Sequence, residues 1–170
     1  MIHLPGGTPK LRFGIIGLGR VGSSFVSTIG RHPKVTLTAV TDIRPDVLKR
    51  FGRDHKATIR ADAEALCKDA NVDVVYVATP TQLHTEQVLM ALDHNKHVLV
   101  AKPMAVTLED GERMVALAGR NRLSLIEAHP QSVEIPVLKM REIVESGELG
   151  RVRMMHNWTY SAWLYQPRLP

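Results

Sequence analysis

Apolar residues come in short bursts along this chain, and the spacing within each burst alternates between two patterns. LRFGIIGLG, from Leu11, is an apolar run ending in glycines, as expected of a buried strand that enters a tight turn. The stretch from Val21 to Arg31 is helix-like and is closed by His32-Pro33, where proline cannot continue the hydrogen-bond ladder. VTLTAVTD (35–42) is rich in β-branched residues and predicts a second strand. Pro45 suits the first position of a helix through Phe51, with Gly52 as its stop. Residues 57–60 predict a short strand, DAEALCKDA (62–70) a helix, and DVVYVA (73–78) another strand. A helix from about Gln82 to His94, apolar at Leu83, Val88, Leu89 and Leu92, ends at Asn95, and HVLVA (97–101) is the strand that follows. Thr107 and Asp110 resemble a capping box opening a helix from Leu108 to about Arg120, and LSLIEAH (123–129) is a further strand.

Strands that alternate with helices of this length predict a parallel sheet covered on both faces, a doubly wound α/β domain over residues 1–128. The pattern then changes. A helix from about Pro136 to Ser146, the glycines Gly147 and Gly150, and RVRMMHNWTYSAWLYQPRLP (151–170) predict the start of a second α/β domain, 129–170, entered by a long strand from Arg151. That strand would carry both tryptophans and two of the three tyrosines, so Trp158, Tyr160, Trp163 and Tyr165 line either a substrate mouth or a sheet face and subunit interface. Left as an open edge, it is expected to drive self-association, and in a complete protein the second-domain sheet is the expected homo-oligomer contact.

Composition narrows the class. The 170 residues, 44% hydrophobic and 23% charged, contain no low-complexity tract. No apolar run approaches the ~20 residues that span a bilayer, and MIHLPGGTPKLRF has no secretory signature, so no membrane partner is expected. Cys67, the single cysteine, excludes an internal disulfide framework and predicts a small core residue in a reducing, cytoplasmic setting. The net charge of +5 is spread along the chain without interleaved aromatics, so it predicts a solvated surface and no nucleic-acid partner. No metal-ligand spacing is present.

The first strand ends in Gly17-Leu18-Gly19-Arg20-Val21-Gly22, a G-x-G-x-x-G between strand and helix, and Asp42 closes the next strand. This combination is a dinucleotide fingerprint. Gly17 allows the tight turn, Gly19 a close approach of pyrophosphate, and Gly22 close packing of helix on strand; Leu18, Arg20 and Val21 complete the phosphate-binding loop at a helix N-terminus. Asp42, with Ile43 beside it, would accept from a ribose 2′-hydroxyl and favours NAD over NADP. Arg44 would stack on adenine, pair with a 2′-phosphate, or be a solvated charge at a helix start. Ala78, Thr79 and Pro80 end the third long strand and would line the same crevice; His84 either faces it or is a satisfied surface histidine. Lys102 and Pro103 end the neighbouring strand. The lysine is placed to hydrogen-bond a ribose hydroxyl or the carboxamide side of nicotinamide as a cofactor-binding residue, or to hold a substrate's reacting oxygen and stabilise negative charge on it as a catalytic one, with Pro103 aiming it through its fixed backbone and a cis bond. The alternative is a lysine that snorkels to solvent at a strand end.

These motifs in this order, with ATPTQLH (78–84) and HVLVAKPMAVTLEDGERM (97–114), resemble the Gfo/Idh/MocA oxidoreductases, the family of glucose–fructose oxidoreductase and inositol dehydrogenase. The stretch from His129 through WLYQPR is most similar to the dihydroxyphthalate dehydrogenase-like branch. The resemblance implies an NAD(P)-binding Rossmann domain joined to a C-terminal domain on a large, mostly antiparallel sheet. It also implies hydride transfer between nicotinamide and a hydroxyl or ketone carbon of a polyol, sugar, cyclitol or cyclic diol. Two departures stand out. Ala101 precedes Lys102-Pro103 where the family usually has glutamate, and no residue among the 170 matches the family's downstream catalytic histidine and its acidic partner. His129 and His156 read as packing or strand residues, not substitutes. The alternative to an oxidoreductase is a dinucleotide-binding module without catalysis, and the 170 residues alone are expected not to turn over substrate.

Overall fold

A computed structural model describes residues 10–156 and residue 158. Its elements run β1 (Leu11–Ile16), α1 (Arg20–Arg31), β2 (Val35–Thr41), α2 (Pro45–Asp54), β3 (Thr58–Ile59), α3 (Ala63–Cys67), β4 (Val74–Val77), α4 (His84–Asp93), β5 (His97–Ala101), α5 (Leu108–Asn121), β6 (Leu125–Ala128) and α6 (Ile135–Glu145). The six strands are parallel in the order β3-β2-β1-β4-β5-β6. The order reverses between β1 and β4, which creates a crevice at the carboxyl ends of these two strands. The chain is thus a doubly wound Rossmann sheet, as its strand–helix alternation predicts.

Side-chain alternation along each strand divides the core in two. Ile16, Ala39, Val75, Val77, Val98 and Val100 pack with residues of α3, α4 and α5, among them Leu66, Val88, Leu92 and Met114. Ile15, Val40, Tyr76 and Ala101 point to the other face, against Val26 and Ile29 of α1 and Phe51 of α2. Each fully buried valine, leucine or isoleucine contributes roughly 1.5–3 kcal/mol relative to exposure, so this two-sided burial fixes the register of the four central strands, β2, β1, β4 and β5. At the far end of the sheet, Arg12 of β1 bonds Asp73 beside β4 through Nη2 (2.6 Å) and Nε (2.9 Å), anchoring the two strands whose other ends form the crevice.

Several boundaries differ from expectation. Helix α2 passes through Gly52 to Asp54: Phe51 is buried, and His55 donates its N–H to the Phe51 carbonyl and stacks on its ring. Tertiary packing here outweighs the ~1 kcal/mol preference against glycine in a helix. The helix expected over 62–70 shrinks to five residues, opened by the Asp62 carboxylate accepting from the Ala65 N–H. At α5 the Thr107 hydroxyl accepts from the Asp110 N–H, the expected cap. Cys67 is fully buried, and burial pushes its thiol up to about 12, which leaves it inert at neutral pH.

The chain divides between His129 and Pro130 into two compact units. In the second, a 3₁₀ turn (Pro130–Val133) precedes α6, and Gly147 (φ 77°) and Gly150 (φ 63°) turn the chain afterwards. The strand expected from Arg151 does not form over residues 151–156, which are irregular. A strand exists only where another offers it a ladder, and among the described residues none pairs with this segment. Trp158 is exposed; Tyr160, Trp163 and Tyr165 lie outside the described residues. No described helix is long and apolar enough to cross a membrane, and the described residues contain no cluster of His, Cys, Asp and Glu suited to a metal.

Candidate functional site

The carboxyl ends of β1, β2, β4 and β5 open on one side of the sheet and bring most of the singled-out residues together. Gly17 leaves β1 with φ 92°, and its N–H donates to the Thr41 carbonyl of β2 (2.9 Å). A Cβ on Gly17 would lie 2.9 Å from the Ala78 carbonyl oxygen, and one on Gly22 would drive into the Gly17 carbonyl. These two glycines let the turn, α1 and the end of β4 close on one another. Gly19 is different. A Cβ there would meet nothing within 4 Å, so its missing side chain leaves open space at the N-cap of α1. The first turn of α1 holds no acidic side chain, Arg20 and Val21 are exposed, and the positive end of the helix dipole faces outward.

Asp42, at the tip of β2, is tied into this loop. Its Oδ2 accepts from the Leu18 N–H (2.7 Å) and from Arg44 Nη2 (3.0 Å), and its Oδ1 accepts from the Arg44 N–H and Nε, both at 2.9 Å. The Arg44 guanidinium lowers the carboxyl from its ordinary 3.8 to about 2, working against desolvation and helped by the Leu18 N–H. Folding therefore favours the ionised form. The stability that Asp42 contributes is complete above its unfolded value and disappears as pH falls through about 2. Asp42→Asn is expected to flatten this part of the acid-unfolding curve followed by far-UV circular dichroism; an unchanged curve would exclude the linkage. Ile43, beside it, is 93% exposed and offers a bare apolar surface.

At the end of β4, Thr79 Oγ1 donates to Gln87 Oε1 (2.6 Å) and Pro80 is exposed. His84 is neither a surface histidine nor open to the crevice. It is 1% exposed, with Nδ1 2.9 Å from the Pro103 carbonyl oxygen and Nε2 2.9 Å from that of Thr79. With both nitrogens at hydrogen-bond distance from main-chain carbonyls, the ring bridges the turn after β4 and the turn after β5. Lys102 stands exposed in that second turn, before a cis bond to Pro103, and its ammonium has no hydrogen-bond or ion-pair partner among the described residues. Ala101 is buried against the sheet core.

Two residues joined to the site were not singled out by motif. Gln87 holds Thr79, and Glu127 of β6 accepts from the Met104 N–H (2.9 Å) through Oε1, bracing the chain just past Lys102-Pro103. Glu127 is the one acid in an otherwise apolar strand, a signal present in the sequence. His129 and His156 are both exposed, so neither is a packing residue, and no described strand contains them.

Residues 11–129 match the family model described as an oxidoreductase family with an NAD-binding Rossmann fold, GFO_IDH_MocA. Among curated relatives, the chain is 42% identical over 159 residues to a 1-carboxy-3-chloro-3,4-dihydroxycyclo hexa-1,5-diene dehydrogenase of Comamonas testosteroni, covering 93% of this chain and 40% of that protein. It is 29% identical over 147 residues to myo-inositol 2-dehydrogenase of Thermotoga maritima, covering 85% and 44%. Among solved structures, the WlbA dehydrogenase of Bordetella pertussis, in complex with NADH and UDP-GlcNAcA, superposes with a TM-score of 0.80 at 27% identity, over 85% of this chain and 43% of that one. The chain spans less than half the length of these relatives. With its glycine turn, its strand order and a family match over most of its length, the chain belongs to the Gfo/Idh/MocA oxidoreductase family.

Proposed function

We propose that this chain binds NAD across the carboxyl ends of β1, β2 and β4, as the dinucleotide-binding part of a dehydrogenase. Its substrate would be a cyclic diol, a cyclitol or a sugar, oxidised at a hydroxyl carbon or reduced at the corresponding ketone. The carrying observation is the open space at Gly19, flanked by two glycines that the fold itself requires. A dinucleotide fits this cradle: pyrophosphate over Gly19 and the start of α1, the 2′-hydroxyl of the ribose at Asp42, adenine over Ile43, and the nicotinamide side toward Thr79, Pro80 and Lys102. When bound, the cofactor would supply a hydride acceptor as NAD for the oxidation and a hydride donor as NADH for the reduction. Lys102 would hold the substrate oxygen and stabilise negative charge on it, since its ammonium has no partner among the described residues. His84 and Glu127 would keep the lysine's turn in place. The 42% identity to a dihydroxycyclohexadiene dehydrogenase favours a cyclic diol. Residues 1–128 would be the cofactor domain and 129–170 the entry to a substrate domain.

Titration calorimetry with NAD and NADP tests this reading. The wild-type chain is expected to prefer NAD. Asp42→Ala should narrow that preference by roughly tenfold or more, since one charged contact is worth about 1.5–3 kcal/mol. If NADP gains nothing relative to NAD, Asp42 does not lie at the ribose.

A further inference from the structure

The Asp42 carboxylate has no acceptor position left. Its two oxygens offer about four lone-pair sites, and four donors fill them: the Leu18 N–H, the Arg44 N–H, and Arg44 Nε and Nη2. The side chain of Asp42 is accordingly only 4% exposed, while that of Arg44, lying over it, is 50% exposed. The two backbone donors are fixed, one by the glycine turn and one by the start of α2. The guanidinium donors are not fixed in this way, because they sit on a half-exposed side chain. A ribose hydroxyl can reach the carboxylate only by displacing them.

We infer that Arg44 determines cofactor selectivity by competing, within the chain, with the ribose of NAD for the Asp42 carboxylate. The inference rests on the dinucleotide reading above and deepens it. Its consequence runs against the usual expectation for an arginine in a nucleotide site, since removing the side chain should strengthen NAD binding. NADP presents the opposite case. Its 2′-phosphate needs no acceptor and is repelled by Asp42, and a displaced guanidinium would neutralise the carboxylate or pair with the phosphate directly. Arg44 therefore costs NAD affinity and lends NADP affinity, so it holds the two cofactors closer together than Asp42 alone would.

The test is a double-mutant cycle on the 170-residue chain, with dissociation constants for NAD and NADP measured by calorimetry for wild type, Arg44→Ala, Asp42→Ala and the double variant. Arg44→Ala should bind NAD about three- to fivefold more tightly, the scale of a half-exposed ion pair, and NADP more weakly. In the Asp42→Ala background, where there is no carboxylate to compete for, Arg44→Ala should give no gain in NAD affinity. Arg44→Gln, which keeps the stem of the side chain and loses the charge, repeats the comparison should the alanine variant not fold. Unchanged or weaker NAD binding in Arg44→Ala overturns the competition and makes Arg44 a plain contact or an adenine platform. Failure of the wild-type chain to bind either dinucleotide overturns the dinucleotide reading itself, and the inference with it.

Discussion

Gly19→Val is expected to leave the fold intact and abolish NAD binding, whereas Gly22→Val is expected to destabilise the fold before binding can be asked about. The two glycines stand three residues apart in one motif, yet their surroundings are opposite. Gly19 has φ −66° and ψ −170°, extended backbone that any residue adopts, and nothing lies within 4 Å of a Cβ placed there. The Cβ of a valine has no close neighbour in the protein, and its methyl groups would extend into the volume proposed for the pyrophosphate. At Gly22 the added carbon collides with the Gly17 carbonyl and packs 3.4 Å from the Ala78 Cβ, so α1 must lift off the turn. Overpacking of this kind costs about 1–3 kcal/mol or more, and here the obstruction is backbone that cannot rotate away. Melting followed by circular dichroism, paired with NAD calorimetry, separates the cases. Undiminished NAD affinity in a folded Gly19→Val chain would show that the pyrophosphate lies elsewhere.

The second large effect concerns Lys102. In a complete enzyme of this family built on this domain, Lys102→Ala should lower kcat/KM on the order of 10²-fold, the usual loss for one donor aimed at a developing oxyanion. The melting temperature should hardly move, because the ammonium has no partner among the described residues to lose. A melting temperature that falls while turnover holds would make Lys102 a strand-end side chain whose stem merely covers apolar surface. Substituting His84 offers a contrast, since its ring is buried between two carbonyls and its loss would disturb stability and site together.

Sequence pattern revealed the order of strands and helices because burial on both faces of a parallel sheet leaves compact apolar runs such as DVVYVA and HVLVA. Local rules failed where distant packing decided the outcome. Gly52 looks like a helix stop, but the buried Phe51 keeps α2 going; the segment from Arg151 looks like a strand, but nothing described offers it a ladder. At the candidate site, the position of the glycine loop, Asp42 and Lys102 at the carboxyl ends of neighbouring strands was legible from the strand pattern. The role of His84 was not, because its partners are main-chain carbonyls of two loops, five and nineteen residues away, and a carbonyl carries no residue signature. The closure of Arg44 on Asp42 was equally hidden: the residue types were visible, but the bidentate geometry that saturates the carboxylate was not.

The strand order also constrains how the chain can be made. β1 lies between β2 and β4, and β4 arrives only after β2, α2, β3 and α3 have been synthesised. Until then a nascent chain carries β1 with one edge unpaired and with Ile15 and Ile16 ready to join any strand that presents itself. The crevice does not exist at that stage, because half of its walls belong to strands still to be translated. Only when β4 docks on β1 and β5 follows do Gly17, Ala78 and Lys102 come to share one rim. Cofactor can therefore assist the last steps of folding in the cell but has nothing to hold during the first.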